Sequence, residues 1–287
     1  MKYRSQRLLA GSTAVAAFFI AAQAFGHDDP VPDTVYSENI SRTLSIGLAA
    51  GYERFDTNFK FTDKSSGRSV FVDAEGTLGL PETDFVPILY GYWKPAKRHG
   101  LGFSYFQIKR ESTLLAVDEN FSDLTVTGNI SLSDRSRFYY LSYNYTALQD
   151  DRAFIFLSLG LYGLDLKYQL DATGDISFRG VPIIGREYSR EADVFAPLPM
   201  LGLDAWFAMT PRWALGTKIA LVGGKYQDVS GTVVEAKIRA KYAFNRNLSL
   251  FFGVNYFQGD IKIDKNARKT DISYGFEGFF AGLDVGF

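Results

Sequence analysis

From Thr43 to the last residue, apolar and polar side chains alternate with a period of two in ten blocks. The first sets Leu44, Ile46, Leu48, Ala50 and Tyr52 against Ser45, Gly47, Ala49, Gly51 and Glu53. The last sets Phe279, Ala281, Leu283, Val285 and Phe287 against Gly278, Phe280, Gly282, Asp284 and Gly286. Successive strand residues point to opposite faces, so each block reads as a strand with one apolar face and one small or polar face. The pattern predicts strands over 43–62, 85–94, 100–111, 135–147, 153–168, 193–208, 213–226, 233–244, 248–263 and 271–287. Each is near or above the roughly 9–11 residues that a tilted strand needs to cross a bilayer's hydrocarbon. The apolar faces expected outside include Ile88, Tyr90 and Tyr92 in the second strand, Leu101, Phe103 and Tyr105 in the third, and Tyr139, Leu141, Tyr143 and Tyr145 in the fourth.

The connections alternate in length. Residues 95–99, 149–152, 210–212 and 245–247 are short and rich in Pro, Asp and Asn, which is turn chemistry. Residues 64–84, 112–134 and 169–192 are long. Short turns at one end and long loops at the other is the rule for membrane barrels, and an even strand number puts both termini at the turn end. Ser69 to Leu80 and Leu124 to Leu132 also alternate and read as strands rising above the membrane. A 12-strand barrel would use one more hairpin from this material, and an 8-strand barrel would discard one.

The final strand ends on Phe287, with an apolar outward face and a small inward one. In this it resembles the bacterial outer-membrane β-barrel proteins, whose last strand ends in Phe and is read by the barrel-assembly machinery. The resemblance implies an all-β, transmembrane, antiparallel up-and-down β-barrel of about ten strands, with 8 or 12 as alternatives, in the outer membrane of a Gram-negative bacterium. It implies an assembly signal at Phe279, Leu283, Val285 and Phe287. Its implied partners are the export and barrel-assembly machinery, outer-membrane lipids and lipopolysaccharide. A soluble β-sandwich or secreted lipid-binding barrel is the other architecture, and it would need the outward Leu, Tyr and Phe faces buried in a core.

Composition agrees with a barrel of 43–287. Of 287 residues, 16% are aromatic, including 25 Phe and 17 Tyr, as interfacial girdles require. Residues 1–24 read as a cleaved secretory signal: Lys2, Arg4 and Arg7, then apolar Leu8 to Ala22, then Ala22-Gln23-Ala24 as the cleavage site. A membrane anchor is the other reading, although the run is shorter than the roughly 20 residues that a spanning helix needs. Residues 25–42 hold two prolines and four acids and read as a flexible periplasmic segment. The net charge of −1 gives no electrostatic case for a nucleic-acid partner. With no cysteine, disulfides, thiol catalysis and thiolate metal sites are excluded.

Chemistry is sought in the lumen. The inward face of 233–244 carries Glu235, Lys237, Arg239 and Lys241, and neighbouring strands add Asp204, Lys218, Glu53 and Asp284. This cluster predicts either an anion-favouring pore or pocket for a small polar or anionic solute, or a salt-bridged plug. Small barrels have interiors little wider than their side chains, and buried charges there must pair. A hydrolase needs a general base, usually His, and the two histidines, His27 and His99, fall in the leader-proximal segment and a periplasmic turn. Loop carboxylates such as Asp118, Glu119, Asp123, Asp150 and Asp151 read as solvated. No catalytic set, cofactor motif or metal spacing is present. In the third long loop, Arg179, Arg186 and Arg190 flank Val-Pro-Ile-Ile. They either meet lipopolysaccharide phosphates or belong to a self-packed loop.

Overall fold

The computed structural model describes residues 42–287 apart from 66, 68, 122–123, 179–180, 183–186, 246 and 266–267. For residues 70, 115–127, 172, 175–192 and 268, backbone pairing alone is described. The strands are β1 (Leu44–Asp63), β2 (Ser69–Asp73), β3 (Thr83–Ala96), β4 (His99–Phe121), β5 (Leu124–Gln149), β6 (Ala153–Phe178), β7 (Val181–Pro182), β8 (Glu187–Ala208), β9 (Trp213–Tyr226), β10 (Val229–Ala243), β11 (Leu248–Lys265) and β12 (Arg268–Gly286). Ten of them form a closed antiparallel barrel in the order β1-β3-β4-β5-β6-β8-β9-β10-β11-β12. It closes by pairing β12 with β1, from Ser45 opposite Gly286 to Asp63 opposite Arg268. The short β2 and β7 pair with the far ends of β1 and β6.

The ten expected strands are therefore present, and Leu124 to Leu132 is strand, as expected, at the start of β5. The rest of the 112–134 connection differs from expectation, because β4 and β5 stay paired out to Phe121 opposite Leu124. Likewise β6 and β8 stay paired out to Thr173 opposite Glu187. Ser69 to Leu80 supplies only the short β2, followed by a turn. A strand's end is set by its neighbour's hydrogen bonds, which continue where lipid no longer demands an apolar face. Hydropathy alone therefore places strand ends too early.

The outer surface carries a continuous apolar belt. Leu48, Leu141, Leu159, Leu201 and Leu283 are each at least half exposed, and Phe279 and Phe287 are 70% exposed. Exposure on this scale costs a protein in water roughly 25 cal/mol per Å² of apolar surface, whereas lipid removes the penalty. Aromatic pairs mark both rims. Tyr52–Phe85 and Tyr105–Tyr139 lie at the upper rim, and Trp213–Tyr242 and Tyr242–Phe244 at the lower. In β3 the expected phase is wrong. Phe85, Leu89 and Trp93 face out, while Ile88, Tyr90 and Tyr92 line the lumen. Both faces of this strand are aromatic, so its alternation has no contrast to read.

Above the membrane the barrel is filled like a soluble core. Phe106 stacks on Phe138 and Phe257 on Phe276, each pair at 4.5 Å between ring centres. The two stacks meet across the lumen, Phe138 to Phe257 at 5.7 Å and Phe106 to Phe276 at 6.0 Å. These contacts join β4 and β5 to β11 and β12, and so they span the interior. Over this layer, residues 74–80 dip inward and bury Ala74, Leu78 and Leu80. Arg110 holds them there. Its guanidinium donates to Glu75 Oε1 at 2.5 Å, to Asp134 Oδ2 at 2.8 Å and to Thr57 Oγ1 at 2.9 Å, over the Phe55 ring. Glu75 Oε2 in turn accepts the Thr57 backbone N–H at 2.7 Å.

The β9–β10 hairpin turns at Gln227 with φ of 52°. This left-handed conformation costs a residue with a Cβ about 1–2 kcal/mol, and glycine avoids the cost. Gln227→Gly is expected to stabilise the barrel by up to about 1 kcal/mol. The urea midpoint of the barrel in lipid vesicles would check this.

Candidate functional site: the charged lumen at the turn end

Alternation along β10 sends Glu235, Lys237, Arg239 and Lys241 inward, and the register builds their surroundings. Lys237 lies opposite Lys218 on β9, and Lys218 lies opposite Asp204 on β8. Every basic residue named for the site is paired. Glu235 accepts from Lys237 at 2.6 Å and Lys218 at 3.3 Å. Asp204 accepts from Arg239 at 2.6 Å, and Asp284 from Lys241 at 2.6 Å. Aromatic faces support two of these cations: Lys218 sits 3.9 Å from the centre of the Tyr140 ring, and Arg239 4.4 Å from that of Trp206.

Asp284 has two further partners. The Tyr90 hydroxyl donates to its Oδ1 at 3.2 Å, and Arg42 Nη1 to its Oδ2 at 3.2 Å. Arg42 precedes β1 and also donates to Ser249 Oγ at 2.9 Å and to the Asn247 carbonyl at 3.1 Å, so it is folded into the turn-end mouth. Between these groups lies a cavity of 240 Å³. Its walls include Tyr90, Tyr140, Trp206, Asn255 and the four named bases. The packed aromatic layer lies above it.

All six expected lumen residues, Asp204, Lys218, Glu235, Lys237, Arg239 and Lys241, thus line or adjoin one space. Sequence reasoning missed Tyr90 and Tyr92, assigned to the wrong face, and Arg42, assigned to a flexible segment. Phe85 and Trp93, which share parity at the two rims, would have given the phase of β3. Phe279, Leu283, Val285 and Phe287 all face outward on the last turns of β12 and at the terminus. Arg179 and Arg186 lie outside the described residues, as does the leader over 1–24, and for Arg190 only its place in β8 is described. His99 sits at the turn end, with its Nδ1 2.5 Å from the Tyr143 hydroxyl. Asp150 caps its turn by accepting the Arg152 and Ala153 backbone N–H groups at 2.8 and 2.6 Å.

No protein-family model matches the chain, and no curated protein matches it. Among solved structures, the outer membrane protease OmpT from Escherichia coli has a TM-score of 0.58 at 13% identity, covering 88% of this chain and 100% of that chain. This likeness is one of fold. The chain is an outer-membrane β-barrel. The translocator domain of the autotransporter NalP from Neisseria meningitidis has a TM-score of 0.48 at 11% identity, covering 99% of this chain and 100% of that chain. The Pseudomonas putida toluene transporter TodX has a TM-score of 0.36 at 8% identity, covering 90% and 93%. By the rule for outer-membrane barrels, the end with short turns is periplasmic and the extended end faces outward.

Proposed function

We propose that this barrel binds a small anionic solute in its lumen from the periplasmic side and is closed to the outside at rest. One observation carries the reading. Around the cavity five cations, Arg42, Lys218, Lys237, Arg239 and Lys241, pair with three carboxylates, Asp204, Glu235 and Asp284, and with the unpaired Glu53 counted the cations still exceed the carboxylates by one. A plug built only for stability would match charge for charge, since an unmatched buried charge is costly. The surplus of donors fits an anion that completes the set. The low dielectric of the enclosed lumen strengthens its attraction to these cations. The aromatic layer and residues 74–80 support a binding barrel rather than an open channel.

The reading is non-enzymatic. OmpT is a protease on a related fold, so a hydrolase is the competing class. In this chain His99 lies at the periplasmic end, bound to Tyr143, far from the outer mouth where long strands gather. We also infer that residues 1–24 are removed on export, that the outward face of β12 is read during assembly, and that Arg179, Arg186 and Arg190 meet lipopolysaccharide. Changing those three arginines to Ser is expected to lower lipopolysaccharide retention in the purified protein.

The test is calorimetric titration of the refolded barrel with inorganic phosphate and with butyrate, beside conductance in planar bilayers. Binding without steady conductance is expected. Changing Lys237, Arg239 and Lys241 together to Gln is expected to weaken binding at least about tenfold, since a charge-assisted hydrogen bond contributes about 1.5–3 kcal/mol. Heat-modifiable migration on gels would verify that the variant is folded. Binding of neither probe, or equal binding by the variant, would sink the proposal.

A further inference from the structure

Among the described lumen acids, Glu53 is the one that no cation holds. It points inward from β1, is 1% exposed, and neither of its carboxylate oxygens has a hydrogen-bond partner. Asn255 on β11 is also buried, and its Oδ1 is likewise without a partner. The register sets the two side by side, since Glu53 and Asn255 both lie opposite Gly278 on β12. The Asn255 amide and the Lys237 ammonium are the polar groups that face the carboxylate. Lys237 lies opposite Asn255, but its ammonium is taken by Glu235 at 2.6 Å.

The backbone makes room for this carboxylate. A Cβ on Gly51 would stand 2.2 Å from Glu53 Oε1, and one on Gly278 would stand 2.6 Å from Oε2. Glu53 therefore lies against the wall over two glycines, at the level where Asn255 enters the cavity lining. Three acceptor atoms meet there, and the Asn255 amide N–H2 is the one uncharged donor facing them. Buried acceptors are nearly always satisfied, and a set with more acceptors than donors calls for a group that only donates. A primary ammonium is such a group, with three N–H donors and no acceptor.

We propose that the solute of this lumen carries a primary ammonium beside its anionic group, which makes it a small amino carboxylate. The ammonium sits on Glu53 and Asn255, and the carboxylate faces Arg239 and Lys241. The cavity of 240 Å³ holds the volume of about eight waters, which suits a short aliphatic chain between the two charges. This rests on the anion-binding reading above and extends it to a second pole.

The experiment compares 4-aminobutyrate with butyrate, two probes that differ only in the amine, by calorimetric titration of the refolded full barrel. The amino carboxylate is expected to bind about tenfold or more tightly than butyrate, as a charge-assisted hydrogen bond implies. Glu53→Gln is expected to abolish that advantage while butyrate still binds, no more weakly than before. Equal binding of the two probes by the unaltered protein would overturn the ammonium site and leave the anion site standing. So would an advantage that persists in Glu53→Gln. Failure of 4-aminobutyrate, butyrate and inorganic phosphate alike to bind would overturn both. The comparison on the unaltered protein decides the matter even where the variant does not fold.

Discussion

Arg110→Leu is expected to destabilise the barrel by about 3–5 kcal/mol, the usual result of removing one partner from a buried ion pair. Arg110 and Asp134 have no exposed side-chain surface, and Glu75 has 7%. The substitution leaves two buried carboxylates facing each other with no cation between them. Both lie above the membrane belt, where the interior packs as in a soluble protein. The urea midpoint in vesicles would measure the loss. Arg110→Leu combined with Asp134→Leu and Glu75→Leu is expected to recover much of it, because an apolar replacement of a whole buried charge set is often neutral.

The loss should also depend on pH. Burial pushes the Asp134 carboxyl above its ordinary value, while the Arg110 charge and the Ser136 hydroxyl oppose that rise. Without Arg110 the rise grows. A carboxyl whose folded pKa exceeds its unfolded value stabilises the fold fully below the unfolded value, and that contribution is lost as pH rises through the folded value. The deficit of Arg110→Leu is therefore expected to be smallest near pH 4, the ordinary range for Asp, and largest at neutral pH. A deficit that grew on acidification would contradict this account of the cluster.

The second large effect concerns the lumen's closure. Phe138 is 1% exposed and touches the rings of Phe106, Tyr162, Phe257, Tyr274 and Phe276. Phe138→Ala is expected to cost about 3–5 kcal/mol through lost burial and a residual cavity. With Phe257→Ala as well, the layer that joins opposite walls is gone, and steady single-channel openings are expected that the unaltered barrel is expected to lack. Arg110→Leu should not conduct by itself. It loosens residues 74–80 above the layer but leaves the layer whole. Conductance in Arg110→Leu, with none in the double Phe variant, would place the closure in residues 74–80.

Much of this architecture is legible in the chain. Ten alternating blocks became ten barrel strands, and the inward parity of β10 put Glu235, Lys237, Arg239 and Lys241 where the pattern places them. The reason is local: a strand turns alternate residues to opposite faces whatever its neighbours are, and lipid requires one face to be apolar. The same rule fails where both faces are aromatic, as in β3, and weakens above the membrane: it found Leu124 to Leu132 of β5 but not the end of β4, which runs on as strand to Phe121. Arg42 was hidden for another reason, since a single cation after a polar run carries no periodicity.

By itself, then, the sequence determined the fold class, the membrane belt and the inward set of charges, because each follows from the facing of single residues. Only the tertiary structure decided which inward residues meet. Phe106 reaches Phe276, Arg110 reaches Glu75 and Asp134, and Asp284 gathers Arg42, Tyr90 and Lys241. Arg110 meets Asp134 through the register of the β4–β5 hairpin, whereas Phe106 with Phe276, and Asp284 with Arg42 and Tyr90, come together only when β12 closes on β1. It is barrel closure and register, properties of the whole sheet, that gather these charges around one cavity.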